Sequence, residues 1–72
     1  MIVSIGQKTY QMSKNKYQEL LNKASEAVKF GIYCVEKKGQ AEMLNIHCKS
    51  KSELKQKCRD LKKQGYKVYK NA

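Results

Sequence analysis

The chain has no proline and no tryptophan, and it has one residue each of phenylalanine (Phe30), histidine (His47) and arginine (Arg59). Without proline, nothing in the chain forces a kink, a cis turn or a polyproline linker. A lone Arg leaves few guanidinium forks for bidentate reading of guanine, so sequence-specific major-groove recognition is not expected. Acids are also scarce, with six in 72 residues. None sits at a catalytic spacing from another. There is no glycine-rich phosphate loop and no Ser-His-Asp set, so an enzyme is not expected and no cofactor is implied. The three cysteines, Cys34, Cys48 and Cys58, are odd in number and scattered, as reduced thiols of a cytoplasmic protein would be. They offer no C-x₂-C or H-x₃-H pair for a tetrahedral zinc site, and His47 and Cys48, adjacent in a strand, would point to opposite faces. Apolar runs are short. Ile2-Val3-Ser4-Ile5 has neither the basic flank nor the length of a signal peptide, and no stretch approaches the roughly eighteen apolar residues of a membrane helix.

A chain of 72 residues is one domain with a small core, covering residues 1–72. Hydrophobic content of 40% and six aromatics supply that core despite 31% charge, and the regular apolar spacing argues against disorder. Two β-type runs, Ile2–Ile5 and Thr9–Met12, flank Gly6-Gln7-Lys8 and predict a hairpin. Ser13 reads as an N-cap for an amphipathic helix over about 14–28, with Tyr17, Leu20, Leu21, Ala24, Ala27 and Val28 on its apolar stripe. A second hairpin follows, Phe30–Val35 and Ala41–His47 around a Gly39 loop. Ser50-Lys51-Ser52-Glu53 fits a capping box. Leu54, Cys58 and Leu61 continue as the stripe of a helix that ends at Gly65. Residues 66–70 form a closing strand.

The order ββαββαβ and one apolar stripe per helix predict an α+β domain: a mostly antiparallel sheet with both helices on one face. The stretches 2–28 and 30–64 resemble a degenerate ββα repeat, each opening its helix with Ser-Lys, though their identity is too low to establish one. In the strands, alternation sends Ile32 and Cys34 to one side and Tyr33 and Val35 to the other.

Charge is distributed unevenly. Residues 1–36 carry a balance of +2, and residues 37–72 carry ten Lys and Arg59 against Glu42, Glu53 and Asp60, a balance of +8. At 100° per residue, Lys51, Lys55, Arg59 and Lys63 follow one ridge of the second helix with Lys62 beside them, while Glu53, Gln56, Asp60 and Gln64 fall on the other flank. Such a row suits phosphates, and Lys37 and Lys38 in the loop, with Lys49, Lys67 and Lys70, extend the field. Tyr33 and Tyr69 on an open sheet face would be candidates for stacking bases. These features predict a small basic cytoplasmic accessory domain that binds nucleic acid with little specificity. The alternative is a protein-interaction or inhibitor module of the phage or mobile-element kind, meeting an acidic protein surface or forming a homodimer through the open sheet face.

Overall fold

The computed structural model describes all residues, Met1–Ala72. The elements are β1 (Ile2–Ile5), β2 (Lys8–Gln11), α1 (Lys14–Ala27), β3 (Gly31–Lys37), β4 (Gln40–His47), α2 (Lys51–Lys63) and β5 (Lys67–Asn71). All seven expected elements are present in the order ββαββαβ. The five strands form one mixed sheet in the order β2-β1-β4-β3-β5. Three of its pairings are antiparallel, and the seam between β1 and β4 is parallel, with Val3 opposite Ala41.

The helix ends follow the capping chemistry of their sequences. Ser13 Oγ accepts from Lys16 N–H at 3.3 Å, and Ser50 Oγ accepts from Glu53 N–H at 3.2 Å. The Glu53 carboxylate reaches back past the N-cap to accept from Lys49 N–H at 2.9 Å, so the Ser50 half of the capping box forms as expected and the Glu53 half closes one residue earlier. At the other end of α2, Gly65 takes φ 91°. Its N–H donates to the Lys62 carbonyl, and Tyr66 N–H donates to that of Leu61. This is the paired bonding of a Schellman end, which a residue without Cβ closes most readily.

The side-chain core is split by the sheet. One cluster holds Val3, Tyr17, Leu21, Cys34 and Ala41; the other holds Ile32, Val35, Cys48, Leu54 and Cys58. Cys34 and Val35 are consecutive in a regularly paired strand, so they project to opposite faces. Tyr17 of α1 reaches Cys34, and Leu54 and Cys58 of α2 pack with Val35. The two helices therefore cover opposite faces, which corrects the expectation of one helical face and one open face.

The topology gives the reason. The pairings make β2 parallel to β3 and β4 parallel to β5, so α1 and α2 are each the crossover of a parallel β-α-β unit. Both crossovers step the same way across the sheet, but their strands run in opposite directions. Right-handed connection then places the two helices on opposite sides.

A second correction concerns β3. The register slips by one between Ile32 and Cys34 in the ladders to both β4 and β5. The slip breaks strict alternation, as bulges do. Ile32 joins Val35 on the α2 side, and Tyr33 packs with the α1-side cluster that contains Cys34.

One tie across the fold is carried by a residue the sequence pattern does not mark. The Asn71 amide, at the end of β5, donates to the Ser25 carbonyl at 2.9 Å, to Ser25 Oγ at 2.8 Å and to the Val28 carbonyl at 3.0 Å. It thereby binds the last turn of α1 to the sheet edge. Asn71→Ala leaves these half-buried acceptors unanswered and should cost about 1–3 kcal/mol. Thermal melting is expected to show a fall of about 4–8 °C for each kcal/mol lost.

Candidate functional site

The exposed flank of α2 is the most strongly charged surface. Leu54 and Cys58 anchor the helix on the sheet, and this fixes its rotation. The residues that fan out about 60–160° to one side, Lys55, Arg59, Lys62 and Lys63, then line a groove with Lys70 of the edge strand β5. Val68 packs on the α2 side, and alternation puts Lys70 on that side as well. The result is a shallow groove lined by Lys55, Arg59, Lys62, Lys63 and Lys70, with Cys58 as its floor. No acid lines it.

The acids of α2 are held on the opposite flank. Glu53 pairs with Lys57 at 3.7 Å and Asp60 accepts from Gln56 at 3.2 Å. The chain's other ion pair, Lys16 with Glu19, lies on α1, so all five groove cations lack a carboxylate partner. Lys51, the first residue of α2, continues the same flank toward the helix start.

The remaining residues of the expected surface lie elsewhere. Lys37 is tied to the scaffold: its ammonium donates to the Gln64 carbonyl at 2.9 Å and sits 5.3 Å above the Tyr66 ring. A cation at that point satisfies a free carbonyl and opposes the negative end of the helix dipole. Lys38 stands in the β3–β4 turn at φ 51° and lines a separate hollow with Ser4, Gln40, Glu42 and Tyr66.

Lys67 lies on the α1 side, 5.2 Å above the ring of Tyr69. Tyr33 and Tyr69 form a tilted pair there, with centroids 6.2 Å apart, half-buried against the α1-side cluster. The tyrosine pair and the basic groove therefore occupy opposite faces, so the expected surface of Lys beside stacking Tyr is not assembled. Of the cations expected to extend the field, Lys70 joins the groove and Lys67 does not.

The buried thiols belong to the packing. Cys34 lies in the α1-side cluster, and Cys48 and Cys58 lie in the α2-side cluster. Cys34 Sγ is 3.4 Å from the Tyr17 hydroxyl. Burial raises the Tyr17 phenol well above its ordinary value of 10.0, and the Cys34 contact adds to this. Burial likewise raises the Cys34 thiol above its ordinary 9.0.

Both groups hold their protons more tightly in the folded chain, so the contribution is complete below the unfolded values and is lost as pH rises past them. Stability should fall above about pH 9, by up to about 1.4 kcal/mol per pH unit for each group once its unfolded form ionises. Melting curves from pH 8 to 11 should therefore fall more steeply for the native chain than for Tyr17→Phe, which removes one of the two groups.

No family model matches this chain, and no curated protein or solved structure shows significant similarity to it. No helix is long and apolar enough to cross a membrane.

Proposed function

We propose that the protein is a small intracellular, non-catalytic accessory domain that binds nucleic acid through the phosphate backbone, with the groove between α2 and β5 as its contact surface. One observation carries this reading: Lys55, Arg59, Lys62, Lys63 and Lys70 line a single groove with no acid among them, and none of the five is engaged in an ion pair. Five unneutralised cations on a rigid support repel one another in the free protein, and a polyanion relieves that repulsion. Lys ammonium groups meet phosphate as point charges and read no base pattern, so binding is weakly specific and driven by counterion release.

The test is fluorescence anisotropy with labelled oligonucleotides over a salt series. Engagement of about five phosphates predicts a loss of affinity of about 10²–10³-fold between about 50 and 200 mM salt. Absence of binding at the low-salt end would overturn the reading.

A second reading, a protein-interaction module, draws on a different surface. The β1–β2 hairpin leaves Ile2, Ile5 and Tyr10 exposed at 38%, 38% and 44%, beside the unpaired edge of β2. Recovery of a stoichiometric protein partner after nuclease treatment, together with loss of oligonucleotide binding, would favour it.

A further inference from the structure

The groove lacks what a single-strand site needs. Proteins that hold unpaired strands place aromatic rings beside their cations, and each stacked base contributes about 1–3 kcal/mol. All six rings of this chain lie away from the groove, whose lining is Lys55, Cys58, Arg59, Lys62, Lys63 and Lys70. Tyr17 is buried, and Tyr33 and Tyr69 pack on the α1 side. Phe30 and Tyr66 pack into the α2-side cluster, and Lys37 lies over the Tyr66 ring. Tyr10 is exposed, but it belongs to β2, at the opposite edge of the sheet from β5.

With stacking removed, charge density is what remains to distinguish one nucleic acid from another. A duplex carries one charge per about 1.7 Å of axis and releases about 0.9 counterion per phosphate engaged, against about 0.7 for a single strand. The shape of the site agrees. From Lys51 to Lys63, at about 1.5 Å per residue, the row of cations runs about 18 Å along a straight helix. Successive side chains on this i+4 ridge stand about 6 Å apart, comparable to neighbouring phosphates along one strand before the strand winds away from a straight helix. Lys51, Lys55, Arg59 and Lys63 make three such steps, with Lys62 beside the last of them. A single strand would first have to be straightened against the ridge, at a cost in conformational entropy that no stacking offsets.

From these observations, and resting on the phosphate-binding reading above, we propose that the ligand is duplex nucleic acid. The α2 ridge meets a short run of backbone phosphates, and the edge-strand Lys70 widens the contact at its flank.

The experiment compares a labelled duplex of about 20 base pairs, its RNA counterpart and an unstructured oligo-dT of equal length, by anisotropy at two salt concentrations. If the electrostatic terms vanish near 1 M salt, five engaged phosphates predict a preference for duplex of about twentyfold at 50 mM, shrinking to about fivefold at 200 mM. Tighter binding of either duplex, with log-log salt slopes of about −4.5 for duplex and about −3.5 for oligo-dT, is the expected result. Oligo-dT bound as tightly as both duplexes or more tightly, or tyrosine fluorescence quenched on its binding, would overturn the duplex assignment and leave phosphate binding intact. No binding of any of the three would overturn both.

Discussion

Gly31→Ala should leave the chain unfolded or barely folded, the largest effect expected of any single substitution. Gly31 adopts φ +153° at the start of β3, where an alanine Cβ would fall onto the Ile46 carbonyl oxygen, 2.9 Å from its carbon and 3.1 Å from Val28 Cγ1. The obstruction is the backbone of β4, held in register by Ile32 opposite Ile46 and Gly31 opposite His47. No side-chain rotation relieves it. Relaxation requires β3 and β4 to separate where they also carry the register slip and the Cys48 N–H bond to the Phe30 carbonyl. A backbone clash added to a disallowed conformation belongs to the few mechanisms that produce losses above about 4 kcal/mol, a large share of the roughly 5–15 kcal/mol that stabilises a whole domain. Far-UV circular dichroism of the variant at 25 °C should show loss of the mixed helix and sheet signal. A cooperative melt within a few degrees of the parent would show that the close approach does not exist.

The second large effect concerns binding. Lys55→Glu with Arg59→Glu removes two cations from the middle of the groove and installs two anions in their place. Losing two phosphate contacts alone predicts a fall in affinity of about 200-fold near 50 mM salt and a salt slope shallower by about two. Repulsion from the new carboxylates deepens the loss. Because both side chains are exposed, the melting temperature should barely move. The matched control is Lys14→Glu with Lys23→Glu on α1, which makes the same change in net charge on the other side of the sheet. If binding follows the groove, the control loses less than about tenfold, since distant charges are screened at this ionic strength. Equal losses in the two variants would mean that net charge, and no particular surface, governs affinity.

How far these features could be read in advance depends on the range of the physics behind them. Ser50, Glu53 and Gly65 act within one helical turn, and their pattern marks α2 almost to the residue. The sorting of Lys55, Arg59, Lys62 and Lys63 from Glu53 and Asp60 is a property of a single helix, and it too was legible. The side of the sheet on which a helix lands is not local. It follows from the parallel seam between β1 and β4, and no nearby residue in the chain announces that seam. The expectation of an open face bearing Tyr33 and Tyr69 failed for this reason. The one-residue slip at Tyr33 failed alternation in a similar way, because two neighbouring strands impose it. Asn71 and Lys37 had no signal at all. Each makes hydrogen bonds to a backbone carbonyl far away in sequence, Val28 in one case and Gln64 in the other, and a single polar residue near a strand end has no periodicity to betray such a role.

The seam between β1 and β4 also bears on how the molecule assembles. Each hairpin and each helix closes over a short stretch of chain, but Ile2 finds its partner only at Gln40, and on the other side of the central hairpin Gly31 finds its partner only at Asn71. Contacts so distant along the chain raise relative contact order, and their loop-closure entropy must be met before they stabilise anything. The N-terminal hairpin and β5 are thus the segments expected to dock late, one on each side of the β3–β4 hairpin. Until they do, both edges of that central hairpin stand open, and the exposure of this small protein to mispairing falls on β3 and β4 together.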